Sequence, residues 1–128
     1  MKTSDGACQL VETKIMNAII ESASINIERG FMIDSWIHLD YGGSGQGFGG
    51  FCLHTIPKSG YSDKDTIPAA GHWIMRVMQI AGVESWNELP GKTVRVKATH
   101  SRVHAIGHIV KDDWFCPEVD FHEMRGEE

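Results

Sequence analysis

The chain lacks any apolar run approaching the roughly 18 residues of a membrane-spanning helix, which excludes a helical membrane protein. It also lacks an excess of positive charge. Its 12 Lys+Arg stand against 17 Asp+Glu, a formal net charge of −5. A general nucleic-acid binder needs a basic surface to neutralise phosphates, so a nucleic-acid polymer is not the expected partner. Cysteine is scarce: Cys8, Cys52 and Cys116 are odd in number, far apart and without Cys-x-x-Cys spacing. They read as reduced thiols of a cytosolic protein rather than a zinc or redox site. Met1 to Glu12 has neither the cationic nor the apolar region of a signal peptide. With 128 residues, 41% of them hydrophobic, the chain suits one domain able to bury its own core. It is too short for two domains, a kinase or a dinucleotide-binding enzyme.

The pattern predicts an α+β fold, mainly antiparallel sheet. Residues 1–12 read as a flexible leader, 13–118 as a single ligand-binding domain and 119–128 as a tail, with fraying from Asp112 onward. The β-branched run from Ile15 to Glu28 breaks at Arg29 and Gly30. It resumes with Phe31, Ile33, Ser35, Ile37 and Leu39 on one parity, which predicts a long hairpin. Residues 42–50 hold six glycines in nine positions, read as a loop, and Phe51 to Ile56 reads as a third strand. Apolar residues recur at Ala70, Trp73, Ile74, Val77, Met78 and Ala81, predicting an amphipathic helix over about 68–81. Pro68 would sit in its first turn, Thr66 or Asp65 would cap it, and Gly82 would close it. Ser85 and Glu88 form a capping box, giving a short helical turn at about 86–89. Segments 93–99 and 103–111 predict a second hairpin turning at His100, Ser101 and Arg102.

Glycine leaves backbone N–H groups uncovered, so the glycine segment is a candidate anion-binding loop, with a flexible hairpin tip as the plain alternative. Gly45, Gly47 and Gly50 spell G-x-G-x-x-G, but a strand-like segment follows instead of the helix that a dinucleotide fingerprint requires. No acid lies between Asp40 and Asp63, or from Gly91 to Lys111. On the strand at 93–99, Arg95 and Lys97 share a parity and could meet ligand phosphates, or simply form a solvated face. Phe48, flanked by glycines, has few sequence neighbours to pack against and is a candidate stacking surface, as are Trp36, Tyr41, Phe51 and Trp73. His104 and His108 would stand about 13 Å apart on a strand, too far to share one ion, so no metal site is expected. Cys52 beside His54, or Ser44, has the residue types for nucleophilic catalysis but no elbow motif around it.

Three segments, SWIHLDYGGSGQGFGGF (35–51), AAGHWIMRVMQIAGVESWNELPGKTVRVKATHS (69–101) and AIGHIVKDDWFCP (105–117), together resemble the first-described family of phage anti-Thoeris proteins. The resemblance implies a small α+β phage protein acting in the host bacterial cytoplasm as a homo-oligomer, a dimer or larger such as a hexamer. It implies sequestration, without cleavage, of a cyclic ADP-ribose isomer made by a host TIR-domain enzyme, and in some members of cyclic oligonucleotides. No cofactor is implied. A cyclic ADP-ribose isomer presents a pyrophosphate, two riboses and an adenine, so its site needs backbone donors, cations and an aromatic face. Gly45, Gln46, Gly47 and Phe48 offer close approach, Arg102 or Arg95 a phosphate contact, and Thr99 or His100 hydrogen bonds. His72, Trp73 and Arg76 at the helix start form a second cluster. The competing readings are a small nucleotide phosphodiesterase or hydrolase using histidines, and an oligomeric interaction protein without a small ligand.

Overall fold

The structure is a computed structural model and describes residues 12–55, 69–124 and 126. The order of elements is β1 (Lys14–Glu28), β2 (Met32–Asp40), β3 (Gly45–Gly49), β4 (His54–Thr55), α1 (Ala70–Ala81), a 3₁₀ turn (Trp86–Glu88), β5 (Thr93–Ala98), β6 (Val103–Gly107), β7 (Trp114–Phe115) and α2 (Pro117–Met124). The fold is α+β. The strands form one sheet in the order β3-β2-β1-β5-β6-β7, every neighbouring pair antiparallel, with β4 also on β2.

β1 organises the sheet. Its first half pairs with β5, from Lys14↔Ala98 to Ile19↔Thr93, and its second half pairs with β2 as far as Glu28↔Met32. The expected hairpin is present, turning where Arg29 (φ 55) and Gly30 (φ 78) both take the left-handed conformation that such turns need. On β2 the predicted parity holds: Ser35, Ile37 and Leu39 are buried while Trp36, His38 and Asp40 face out. Buried Ser35 is satisfied because its hydroxyl donates to the Ser24 carbonyl at 2.5 Å. A register shift between Ile20 and Ser22 helps the sheet curl. The curl brings opposite edges together: the rings of Phe48 on β3 and Phe115 on β7 lie 6.2 Å apart.

Helix α1 fills the concavity with Trp73, Val77 and Ile80, spaced i, i+4, i+7. The fully buried Trp73 stacks on Phe48 at 5.2 Å and meets Phe115 nearly edge-on at 5.6 Å. Gly82 caps the helix in the left-handed conformation, as expected. The helix is entered at Ala69 with no side-chain cap; Asp65, Thr66 and Pro68 lie outside the described residues. The capping box of Ser85 and Glu88 is present.

Four expectations about the chain's elements are corrected. The glycine segment is a loop only in part: Gly42 and Gly43 sit in the β2–β3 turn, whereas Gly45–Gly49 is strand β3, paired with β2 from Asp40↔Gly45 to Trp36↔Gly49. Close approach explains the glycines of the strand and its exit. A Cβ on Gly49 (φ +137) would stand 2.1 Å from the Ser35 carbonyl oxygen, and one on Gly50 (φ +80) 2.5 Å from the Trp36 ring. The strand expected from Phe51 to Ile56 starts at His54 rather than Phe51, as β4, and Ile56 lies outside the described residues. β6 stops at Gly107 rather than Lys111, because the chain turns back and the His108 amide donates to the Asp113 carbonyl at 2.9 Å. The stretch after Asp112 does not fray. It forms β7 and α2, held by buried Val119 and by Phe121, whose ring meets Phe51 edge-on at 5.6 Å.

The cysteines divide. Cys52 is free and exposed, whereas Cys116 is disulfide-bonded, which overturns its reading as a reduced thiol; Cys8 lies outside the described residues. Sequence spacing carries no information on such pairing, because a disulfide depends on how closely the fold brings two Cα atoms together. Among the described residues no helix is long and apolar enough to cross a membrane.

Candidate functional site

The curl of the sheet opens a cleft of about 760 Å³ at one end of the concave face. Three segments distant in sequence line it: the start of β1 and the residues before it with Glu12, Thr13, Lys14 and Met16, the β2–β3 turn and the start of β3 with Tyr41, Ser44, Gly45 and Gln46, and the end of β5 and the turn after it with Ala98, Thr99 and His100. Lys14 and Met16 share the parity of buried Ala18 and Ile20, and Gln46 shares that of buried Phe48, so these side chains point inward by strand alternation.

Gln46 ties the walls together. Its Nε2 donates to the carbonyl oxygens of Thr99 at 3.1 Å and His100 at 3.2 Å, while its Oε1 accepts the Tyr41 hydroxyl at 2.5 Å. Both amide groups are thus engaged by the protein, which makes Gln46 a strut between β3 and the β5–β6 turn. That turn is closed by the Thr99 amide donating to the Arg102 carbonyl at 2.8 Å and the Arg102 amide donating to the Thr99 hydroxyl at 3.3 Å. The β2–β3 turn is fixed by the Tyr41 amide on the Ser44 carbonyl at 2.8 Å and the Gly42 amide on Asp40 Oδ1 at 2.9 Å. Burial raises the Tyr41 pKa above the ordinary 10.0, keeping the phenol a donor. The cleft therefore offers one aromatic ring, the Ser44 hydroxyl, the Lys14 ammonium, the His100 imidazole and the Glu12 carboxylate.

Of the residues expected from sequence, the cleft gathers Gly45, Gln46, Thr99 and His100. Gly47 is on the opposite side of β3, where the Trp36 ring lies so close that a Cβ would meet it at 3.0 Å. Phe48 is 1% exposed and Trp73 is 0% exposed, so neither can stack on a ligand; tertiary neighbours supply the contacts that Phe48 lacks in sequence. His72 Nε2 sits 2.7 Å from Asp120 Oδ2, and Arg76 pairs with Asp113 at 2.9 Å while donating to the Trp114 carbonyl at 3.0 Å. Both latch α1 to the C-terminal segment. Arg95 is spent on the carbonyls of His108 at 2.8 Å and Lys111 at 2.7 Å, with its guanidinium 4.8 Å from the Trp114 ring centroid. Lys97, on the same face, is 4% exposed with its ammonium 4.4 Å from that centroid, so the cationic face is covered and not solvated. Arg102 stays at the turn, its Nη1 3.6 Å from Glu118.

Sequence reasoning missed Lys14 and Met16, which lie thirty residues or so from the glycine segment and carry no local signal, and placed Tyr41 only among the aromatics. Among the described residues no group of three or more His, Cys, Asp or Glu could hold a metal ion. No family model, no curated protein and no solved structure matches the chain.

Proposed function

We propose that the protein binds a cyclic ADP-ribose-type signalling nucleotide in the Tyr41–Gln46–His100 cleft and holds it without cleaving it, which keeps the signal from its effector. The observation that carries this is the cleft: its 760 Å³ falls in the usual range for small-molecule sites, and it combines an aromatic ring with the Lys14 ammonium and the His100 imidazole. Lys14 and His100 suit a pyrophosphate, Ser44 and the exposed Gly45 backbone suit ribose hydroxyls, and the Tyr41 ring suits the adenine. The resemblance to phage anti-Thoeris proteins supplies the ligand class and a role in the host bacterial cytoplasm. Cyclic oligonucleotides of similar chemistry are the second ligand class.

A homo-oligomer is part of the proposal, because Ile25 (44% exposed) and Ile27 (74% exposed) leave apolar surface on the far half of the β1–β2 hairpin. Calorimetric titration of cyclic ADP-ribose isomers into Lys14→Ala, Tyr41→Ala and Arg95→Ala tests the site. The cleft variants should lose at least about tenfold in affinity, equivalent to about 1.4 kcal/mol, while Arg95→Ala keeps binding if it folds. Equal affinities for wild type and both cleft variants would refute the assignment.

A further inference from the structure

The side of the sheet away from the helix carries a feature that the cleft does not use. Trp36 lies flat on β3 and its exit: its ring would be 3.0 Å from a Cβ on Gly47 and 2.5 Å from one on Gly50. The residue is nevertheless 38% exposed, and His38 extends the aromatic surface at 6.5 Å with an interplanar angle of 20°. Glycines thus bed one face of an indole that remains partly open to solvent.

Beside this platform, on the same parity of β2, Asp34 Oδ1 is buried with no hydrogen-bond partner. Its cross-strand neighbour Asn26 does not serve it, since Asn26 Nδ2 donates to Ser24 Oγ at 3.1 Å. An unsatisfied buried carboxylate oxygen is costly, and such atoms call for an explanation beyond packing. Asp40 and Glu28 share this outer face, and β2, β3 and the second half of β1 contain no Lys or Arg. The face is therefore acidic and aromatic together.

We propose that Trp36 and Asp34 form a receptor for a guanidinium group, an arginine side chain presented by a partner protein. A guanidinium is planar, stacks on indole and donates in a fork that matches a carboxylate. A nucleotide fits worse, because its phosphates would be brought to a face bearing three carboxylates. A lysine ammonium offers the charge without the planar stack. This site is independent of the cleft and does not rest on the function proposed for it.

The test uses the full chain labelled with ¹⁵N and follows the indole N–H resonances of its 4 tryptophans, with Trp36 assigned by Trp36→Phe. N-acetyl-arginine amide, N-acetyl-lysine amide and adenosine monophosphate are titrated separately. The expected result is a saturable shift at Trp36 with the arginine amide, a weaker one with the lysine amide, none with the nucleotide, and severalfold weaker arginine binding in Asp34→Asn. Asp34→Asn should fold with an otherwise unchanged spectrum. Should that variant fail to fold, Trp36→Leu with chemical shifts read at Gly47 and Gly50 takes its place, and the arginine-induced shifts should vanish. No saturable shift with arginine, an equal shift with the nucleotide, or undiminished arginine binding in the variants would overturn the proposal.

Discussion

Replacing Gly49 with alanine tests the strand reading of the glycine segment. The new Cβ would stand 2.1 Å from the Ser35 carbonyl oxygen, a contact that no side-chain movement relieves because the atom belongs to the backbone. That carbonyl also accepts the Gly50 amide at 2.9 Å, so shifting it disturbs the local hydrogen bonding. Alanine at φ +137 costs about 1–3 kcal/mol in backbone strain, and the forced displacement costs about 1–3 kcal/mol more. A loss of about 2–6 kcal/mol is a large part of the roughly 5–15 kcal/mol that holds such domains together. The melting temperature followed by circular dichroism should fall by about 10 °C or more. Gly43→Ala is the control, since a Cβ there meets nothing within 4 Å; it should change stability by less than about 1 kcal/mol. Equal melting temperatures for the two variants would refute the reasoning, because a flexible glycine loop tolerates both.

Three further outcomes follow from the same structure. Gln46→Ala removes three hydrogen bonds, two of them across the cleft, and should cost about 1–3 kcal/mol, with faster amide exchange at Thr99 and Arg102 than elsewhere in the sheet. Trp73→Ala empties the centre of the core and should cost about 3–5 kcal/mol by denaturant unfolding. Tyr41 keeps its proton in the fold when the unfolded chain has begun to release it, so its contribution is intact below pH 10.0 and declines as pH rises past that value. Melting temperatures between about pH 9 and about pH 11 should therefore fall less steeply in Tyr41→Phe than in wild type.

Local signals served where local physics decides the structure. The alternation of Ile33, Ser35, Ile37 and Leu39 with the Arg29–Gly30 turn shows the hairpin, and Trp73, Val77 and Ile80 at helical spacing show α1. The glycine segment misleads because its composition suggests freedom throughout, whereas at Gly47, Gly49 and Gly50 glycine is required by the Ser35 backbone and the Trp36 ring. Arg95 and Lys97 do share a face, but Trp114 arrives from β7 to cover it, a contact set by the curl of the sheet. The C-terminal helix was illegible for a similar reason: it is anchored by Phe121 on Phe51 and by Asp120 at His72, across the fold. In the cleft, Gln46, Thr99 and His100 stood out as polar groups near candidate turns. Lys14 and Tyr41 join them only because β1 runs through the centre of the sheet and brings its first residues beside the β2–β3 turn.

The sequestration claim is tested most directly by incubating excess protein with cyclic ADP-ribose isomers and cyclic oligonucleotides, removing free ligand, denaturing with heat and identifying what is released by mass-resolved chromatography. Release of an intact cyclic ADP-ribose isomer only after heating, and its absence when Tyr41→Ala replaces wild type, is the predicted result. A linearised product would show an enzyme, and retention of nothing would show that the cleft holds no nucleotide; either contradicts the account.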